Sequence, residues 1–128
     1  MEVLSSRILI RPRDRERSTA FYRDVLGLAV QREFPGGTVF VLGGGFLEVS
    51  GAASDEMPGA ATAVWLQVRD LKATAAELTA RGVEVLREPR REPWGMHEMW
   101  IADPDGLRLV LVEIPPDHPL RSDQRPAP

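Results

Sequence analysis

The alternation of apolar and polar residues in the first half of the chain predicts a strand, a helix and three further strands. The first strand spans residues 7–11, and Asp14 offers a side-chain oxygen that can cap the following helix. Small or apolar side chains then recur at the spacing of one helix face, at Ser18, Phe21, Tyr22, Val25 and Leu26. Gly27 ends this pattern as a helix C-cap. Glycine turns separate the three strand-like runs that follow, at residues 29–34, 38–42 and 46–50.

The second half of the chain repeats this order of elements. Residues 51–61 are small and polar and predict a linker, after which residues 63–69 predict a strand. Asp70 again caps a helix, which Gly82 ends after residues 71–81. Three more strand-like runs follow at residues 83–87, 96–102 and 107–114, and a turn of sequence Asp103-Pro104-Asp105-Gly106 joins the last two. The proline-rich segment after Ile114 is expected to be extended or disordered.

Two sequence correspondences indicate that the halves are copies of one βαβββ unit. Arg13-Asp14 and Arg69-Asp70 lie 56 residues apart, and residues 27–32 match residues 82–87 at an offset of 55. The alternative is chance similarity between two unrelated βα segments. We therefore predict one α+β domain over residues 1–128, with unit one at about residues 5–50, the linker at 51–61, unit two at about 62–114 and a tail at 115–128.

Alternation within the predicted strands divides their side chains between two opposite faces. The first face is wholly apolar and is expected to pack beneath the helices; it holds Ile8, Ile10, Leu47, Val49, Val64, Leu66, Val68, Leu109 and Leu111. The second face, called the mixed face below, combines charged, aromatic and aliphatic side chains: Arg7, Leu9, Arg11, Phe46, Glu48, Ser50, Ala63, Trp65, Gln67, Arg108, Val110 and Val112. A face that met only water would not favour Trp65, so the mixed face predicts a cavity or an interface.

Composition narrows the classes of protein that fit. The chain has 128 residues, 43% of them hydrophobic and 27% charged, which is typical of a globular domain. It has no cysteine, which excludes disulfides and cysteine nucleophiles, and no apolar run of membrane-spanning length. No apolar segment of a signal peptide is present, so the cytoplasm is the expected location. The net charge is −3 without a basic stripe, which argues against nucleic acid, and arginine dominates the basic residues, as in a GC-rich bacterial genome.

Several of these segments resemble the glyoxalase/bleomycin resistance/dioxygenase superfamily, also called the vicinal-oxygen-chelate (VOC) superfamily. The resemblance covers residues 7–114 and rests on the helix from Asp14 to Leu28 and on Pro93-Trp94-Gly95 followed by the turn at Asp103. It implies a fold of tandem βαβββ units that form curved mixed sheets, with the helices on the convex side and a cavity on the concave side. It also implies a homodimer in which each cavity combines unit one of one chain with unit two of the other. A closed pair of units within one chain is the alternative.

The resemblance places the four metal-ligand positions of the family at Arg7, Glu48, Ala63 and Val110. Only Glu48 carries a donor atom, because Arg7 is permanently cationic and the other two side chains are hydrocarbons. One ligand does not hold a divalent ion, so we expect neither a metal nor another cofactor. Arg7 could instead take the place of the cation and pair with Glu48. That pair is either a plain salt bridge or a positive charge presented to an anionic or carbonyl-bearing ligand.

Seven residues are expected to contact a ligand: Arg7, Phe46, Glu48, Trp65, Gln67, Trp94 and Arg108. Trp65 and Trp94 could stack on a flat ligand, whereas Trp100 is expected to serve core or interface packing. Solvated or interface roles are the alternative for Gln67 and Arg108. The catalytic candidates are Glu48 and His97, because His97 is the one histidine within the predicted fold and lies beside Glu98. A hydrogen-bonded strand histidine is the alternative for His97.

These features together predict a metal-free protein of the bleomycin-resistance kind that sequesters or senses a small, flat, polar ligand. The net charge of −3 would suit a cationic drug such as bleomycin. The alternative is an enzyme of the same superfamily, either a metal-dependent lyase, isomerase or dioxygenase with displaced ligands, or a metal-free acid–base enzyme that uses Glu48 or His97. A third class is a subunit whose cavity is collapsed and which makes only protein contacts.

Overall fold

The chain, described over residues 1–120 by a computed structural model, contains eight strands and two helices in that part. Unit one consists of β1 (Ile8–Ile10), α1 (Arg15–Ala20) with a π-helical continuation (Phe21–Val25), β2 (Val30–Phe34), β3 (Gly37–Leu42) and β4 (Gly45–Ser50). Unit two consists of β5 (Ala63–Gln67), α2 (Leu71–Ala80), β6 (Val85–Arg91), β7 (His97–Ala102) and β8 (Arg108–Glu113). The order of elements is therefore the same in both units.

Each unit forms one four-stranded mixed sheet. The strand orders are β1-β4-β3-β2 and β5-β8-β7-β6; β1 pairs with β4 and β5 with β8 in parallel, and the other pairs are antiparallel. The predicted α+β fold of tandem βαβββ units is thus confirmed. Within residues 1–120 the two sheets share no strand pairing, so β1 and β2 are the edges of the first sheet and β5 and β6 the edges of the second. None of the helices in this part of the chain is long and apolar enough to cross a membrane.

The helix ends follow the predicted capping residues. Asp14 accepts a hydrogen bond from the Arg17 N–H at 3.1 Å, and Asp70 accepts one from the Ala73 N–H at 2.9 Å. The β6 strand begins two residues later than predicted because Val83 still caps α2, donating its N–H to the Leu78 carbonyl at 3.1 Å.

The apolar faces of both sheets pack into one core with the two helices. Side chains from unit one, such as Phe40, Leu47 and Val49, join the same cluster as Leu109 and Leu111 of unit two. The apolar set predicted to lie beneath the helices is confirmed, although Ile8 on the edge strand β1 remains 40% exposed. Because the helix-bearing faces meet in this shared core, the mixed faces lie on the outer sides of the two sheets.

The π-helical turn after α1 links the units. It turns both Phe21 and Tyr22 into the core, and the Tyr22 hydroxyl donates to Asp103 Oδ2 of unit two at 2.8 Å. Two further contacts cross between the units: the Arg13 N–H donates to Asp105 Oδ2 at 3.1 Å, and Arg81 donates to the Val25 carbonyl at 2.6 Å. The loop that joins β7 to β8 is therefore held by the first unit.

The described part of the tail, residues 115–120, is not extended. The His118 N–H donates to the Pro115 carbonyl at 3.0 Å, so these residues form a turn. The His118 ring nitrogen Nε2 lies 3.0 Å from the Trp94 carbonyl oxygen, which holds the turn against the loop before β7. The rest of the predicted extended tail, residues 121–128, lies outside the described residues.

Candidate functional site

On the mixed face of unit one, Arg7 and Glu48 form a direct ion pair. The parallel register aligns Leu9 with Glu48, so Arg7 one strand alternation earlier projects from the same face. Arg7 Nη1 donates to Glu48 Oε1 at 2.9 Å, and the Ser50 hydroxyl donates to Glu48 Oε2 at 2.7 Å. The Glu48 side chain is only 15% exposed. Both of its oxygens are therefore already bonded within the chain.

These contacts set the protonation state of Glu48. The hydrogen bond from Ser50 and the one from Arg7 lower the pKa of its carboxyl below the usual range, and the charges of Arg7 and Arg32 add to this. A carboxyl with a lowered pKa stays ionised at neutral pH and is a weak proton acceptor. The Glu48 carboxylate is therefore suited to holding Arg7 in place more than to moving a proton.

The four positions that hold metal in the family do not fit a metal ion here. Arg7, Ala63 and Val110 supply no donor atom, and Glu48 is engaged by Arg7 and Ser50. Residues 1–120 contain no group of three or more histidine, cysteine, aspartate or glutamate side chains placed to bind a metal. No chemical step through a metal can be derived from this donor set.

On the mixed face of unit two, Trp65 and Trp100 flank Val110. The register pairs Val110 of β8 with Trp65 on one side and with Trp100 on the other. Trp65 is 51% exposed, because β5 is an edge strand. It lines an open groove of about 520 Å³ together with Gln67 and the Gly43-Gly44 turn of unit one. The groove has the size of a small-molecule site.

Two arginines lie over the Trp100 ring. The guanidinium carbon of Arg87 is 3.9 Å from the ring centroid, and that of Arg108 is 4.7 Å from it. These arginines come from β6 and β8, the strands on either side of β7, which carries Trp100. Arg108 also donates to the Ala60 carbonyl at 3.0 Å. The indole of Trp100 thus contacts two guanidinium groups on the mixed face of unit two.

Two buried glutamates lie close to Arg87 and partly neutralise the positive charge around Trp100. Glu92, whose side chain is 2% exposed, accepts from Arg87 in a short contact and from Arg90 at 3.2 Å. Glu98 accepts from the indole N–H of Trp94 at 2.8 Å and lies 4.0 Å from Arg87. Trp94 itself is 56% exposed, so its ring stays open to contact while its N–H fixes Glu98.

The predicted ligand contacts divide between the two sheets. Arg7, Phe46 and Glu48 share the mixed face of unit one, as the pairing of Phe46 with Val41 and the register of β1 on β4 show. Trp65, Gln67, Trp94 and Arg108 belong to unit two, and the groove beside Trp65 includes none of the unit-one group.

His97 lies on the helix-bearing side of unit two. It pairs with Glu113, whose carboxylate accepts the backbone N–H of Leu71 at the start of α2 at 2.8 Å. The register therefore separates His97 from Trp65 and Arg108, which project from the opposite face.

Sequence reasoning missed the cluster formed by Arg87, Glu92, Glu98 and Trp100. Strict alternation places residues 87 and 90 on opposite faces, whereas irregularities in the β6–β7 register bring Arg87 opposite Trp100 and Arg90 opposite Glu98. Pro89 within β6 was the one available signal, because proline in a strand often marks a bulge.

The comparisons with known proteins agree on the fold. The solved structure of a glyoxalase/bleomycin resistance protein/dioxygenase from Nocardioides is 20% identical, with a TM-score of 0.72, 96% of this chain covered and 91% of that one. A glyoxalase-related enzyme from Fulvimarina pelagi is 24% identical, with a TM-score of 0.71 and 88% of each chain covered. A protein from Alicyclobacillus acidocaldarius, described as a glyoxalase/bleomycin resistance protein/dioxygenase, is 18% identical, with a TM-score of 0.71, 91% of this chain covered and 96% of that one. At such identities these likenesses show the fold alone.

No curated protein matches the chain. The sequence profile of one family, described as the Glyoxalase/Bleomycin resistance protein/Dioxygenase superfamily, matches residues 5–111. That match spans most of both units and agrees with the observed sheet topology. The chain therefore belongs to the glyoxalase/bleomycin resistance protein/dioxygenase superfamily.

Proposed function

We propose that the chain is a metal-free small-molecule-binding protein that acts as a homodimer in the cytoplasm and sequesters or senses a polar aromatic ligand. One observation carries the proposal. Glu48, the single residue with a donor atom among the four family metal positions, is bonded through both oxygens to Arg7 and Ser50. A metal ion would have to displace a permanent cation from that carboxylate and would then gain only one ligand.

The arrangement of the two sheets supports a dimer. The mixed faces lie on the outer sides of the chain, and the edge strands β1 and β5 each pair on one side only within residues 1–120. Apolar side chains on these edges are open, with Leu9 56% and Trp65 51% exposed. A second copy that set its unit two against unit one would cover both edges and would enclose a cavity between the mixed faces.

The side chains on these faces favour a polar aromatic ligand. Trp65 and Trp94 offer exposed rings, and Arg7 and Arg108 offer guanidinium groups. Gln67 lines the groove beside Trp65. Small-molecule sites typically combine such apolar surfaces with a few placed polar groups. The open groove also argues against a subunit whose cavity is filled by its own side chains.

Binding is favoured over catalysis by the placement of the two catalytic candidates. The lowered pKa of Glu48 makes its carboxylate a weak proton acceptor, and His97 projects from the helix-bearing side of its sheet. No observation on the described residues favours the enzyme alternative.

The first test is metal content measured by mass spectrometry after incubation with Ni²⁺, Zn²⁺, Mn²⁺ or Fe²⁺ and removal of the excess. We expect far less than one ion per chain from the wild type. The triple variant R7H/A63H/V110E restores a four-ligand set with Glu48, and it serves as the positive control that the positions converge in the dimer. Tight binding of about one ion per wild-type chain would overturn the proposal. Sedimentation velocity tests the dimer, and a monomer at micromolar concentration would contradict that part.

A further inference from the structure

The mixed faces carry a charge opposite to that of the whole chain. Strand positions on these faces hold four arginines and two glutamates, Arg7 directly precedes β1 on the same face, and Glu92 joins them through its bonds; the four strand arginines are Arg32, Arg87, Arg90 and Arg108. The chain as a whole has a net charge of −3. Local charge rather than net charge decides which ligands a cleft attracts, so the faces favour anions.

On the mixed face of unit two, the positive charge that remains open is on Arg108. Arg87 and Arg90 bond to Glu92, and Arg7 bonds to Glu48. Within residues 1–120 Arg108 forms no ion pair, and its one hydrogen bond there goes to the Ala60 carbonyl. A guanidinium has five N–H donors in a planar fork, so several remain to meet a carboxylate in bidentate geometry.

The polar atoms around Trp100 also lack acceptors. Two buried side-chain nitrogens in the described part of the chain have no hydrogen-bond partner, Arg87 Nε and Trp100 Nε1, and both belong to this cluster. Both are donors, so the cluster is short of hydrogen-bond acceptors.

An aromatic surface lies next to this charge. Trp65 and Trp100 are on strands two apart, with Val110 between them, which separates their Cα atoms by roughly 9.5 Å at the usual strand spacing. Arg108 lies two residues before Val110 on β8, so the register makes Arg108 and Trp65 diagonal neighbours on the same face of the sheet. Trp65 is 51% exposed, so its indole face is open to a flat ring.

We propose, building on the binding function above, that this face of unit two takes a planar aromatic carboxylate, with the carboxylate on the Arg108 guanidinium and the ring on Trp65. The fork of Arg108 supplies the paired N–H donors that a carboxylate accepts, and Trp100 stacked beneath holds the fork in place. Trp65 supplies the exposed indole face for the ring.

The test uses isothermal titration calorimetry with four probes. 2-Naphthoate has an aromatic ring and a negative charge, and 2-naphthamide has the same ring without the charge. Cyclohexanecarboxylate has the negative charge without an aromatic ring, and a naphthylmethyl-trimethylammonium ion has the ring with a positive charge. We expect 2-naphthoate to bind about tenfold or more tightly than each of the others, since a charge-assisted bidentate pair is lost in the amide and stacking in the cyclohexane acid.

Two variants assign the binding to this face. Arg108→Gln is expected to weaken 2-naphthoate about tenfold or more and to leave 2-naphthamide unchanged, and Trp65→Ala is expected to weaken both naphthalene probes. The matched control is Arg91→Gln, which removes an exposed arginine from β6 at a position opposite His97, on the other side of the same sheet. It should leave every affinity unchanged.

The outcomes separate the two proposals. Equal binding of naphthoate and naphthamide, tighter binding of the cation, or an unchanged Arg108→Gln variant would overturn the anionic class and leave small-molecule binding standing. If none of the four probes binds at millimolar concentration, the aromatic carboxylate is overturned, and the proposed function is decided by the metal-content and sedimentation measurements alone.

Discussion

Tyr22→Phe should lower the free energy of unfolding at neutral pH. It should also abolish the fall in stability that the wild type shows at alkaline pH. Tyr22 is 1% exposed and donates to the buried Asp103 carboxylate at 2.8 Å across the two units. A hydrogen bond to a charged group contributes about 1.5–3 kcal/mol, so the free energy of unfolding should fall by about that amount. Asp103 keeps two acceptor bonds, from the N–H groups of Asp105 and Leu107, so the variant should still fold.

The alkaline effect follows from the pKa of Tyr22. Burial raises the pKa of its hydroxyl far above the ordinary value, and the neighbouring Asp103 charge raises it further. The unfolded chain releases this proton near pH 10, while the folded chain retains it, so stability is complete below pH 10 and is lost as the pH rises above it. At pH 11 the loss is about 1.4 kcal/mol, and it should be absent from Tyr22→Phe.

The composition makes this measurement clean. The chain has one tyrosine, Tyr22, and no cysteine, and its one lysine is the exposed Lys72. Urea denaturation at fixed protein concentration, followed by circular dichroism from pH 8 to 11, measures the effect. Lys72→Arg is the control and should reproduce the wild-type pH profile. If Tyr22→Phe loses as much stability as the wild type between pH 9 and 11, the assignment to the buried hydroxyl is wrong.

Two further predictions concern unit one. Gly37→Ala should destabilise the fold by roughly 1–3 kcal/mol, because its Cβ would lie 2.5 Å from the Val49 carbonyl oxygen and 2.6 Å from Ser50 Cβ. The control is Gly44→Ala, whose Cβ would meet no atom within 4 Å. Equal melting temperatures of the two variants would refute the close approach at Gly37. Because the pKa of Glu48 is lowered in the folded chain, its stabilising effect is present at neutral pH and is lost as the pH falls through that lowered value. Glu48→Gln should therefore flatten the acid limb of a stability-against-pH curve, and an unchanged acid limb would show that the ion pair does not contribute.

The strand alternation of the sequence predicted the two faces because a period of two is enforced wherever a sheet packs on helices. Leu47 and Val49 enter the core, while Glu48 between them meets Arg7 on the mixed face. The same reasoning failed at β6, since a bulge changes the alternation and carries no signal in hydrophobicity. The π-helical turn at Phe21 was equally hidden, because the helical spacing of apolar residues does not distinguish i+4 from i+5 hydrogen bonding.

The proposed ligand class depends on which arginines of the mixed faces have a carboxylate partner. In unit one the charge of Arg7 is met by Glu48, so this pair offers little net charge to a ligand. In unit two the side chain of Val110 is a hydrocarbon. The nearby Arg108 carries a positive charge and forms no ion pair with a carboxylate in residues 1–120. In unit two the guanidinium without a carboxylate partner in residues 1–120 therefore lies over Trp100. The overall charge of −3 suggested a cationic drug, yet the charge that a bound molecule would meet is positive, because it depends on the residues within a few ångströms of the ligand.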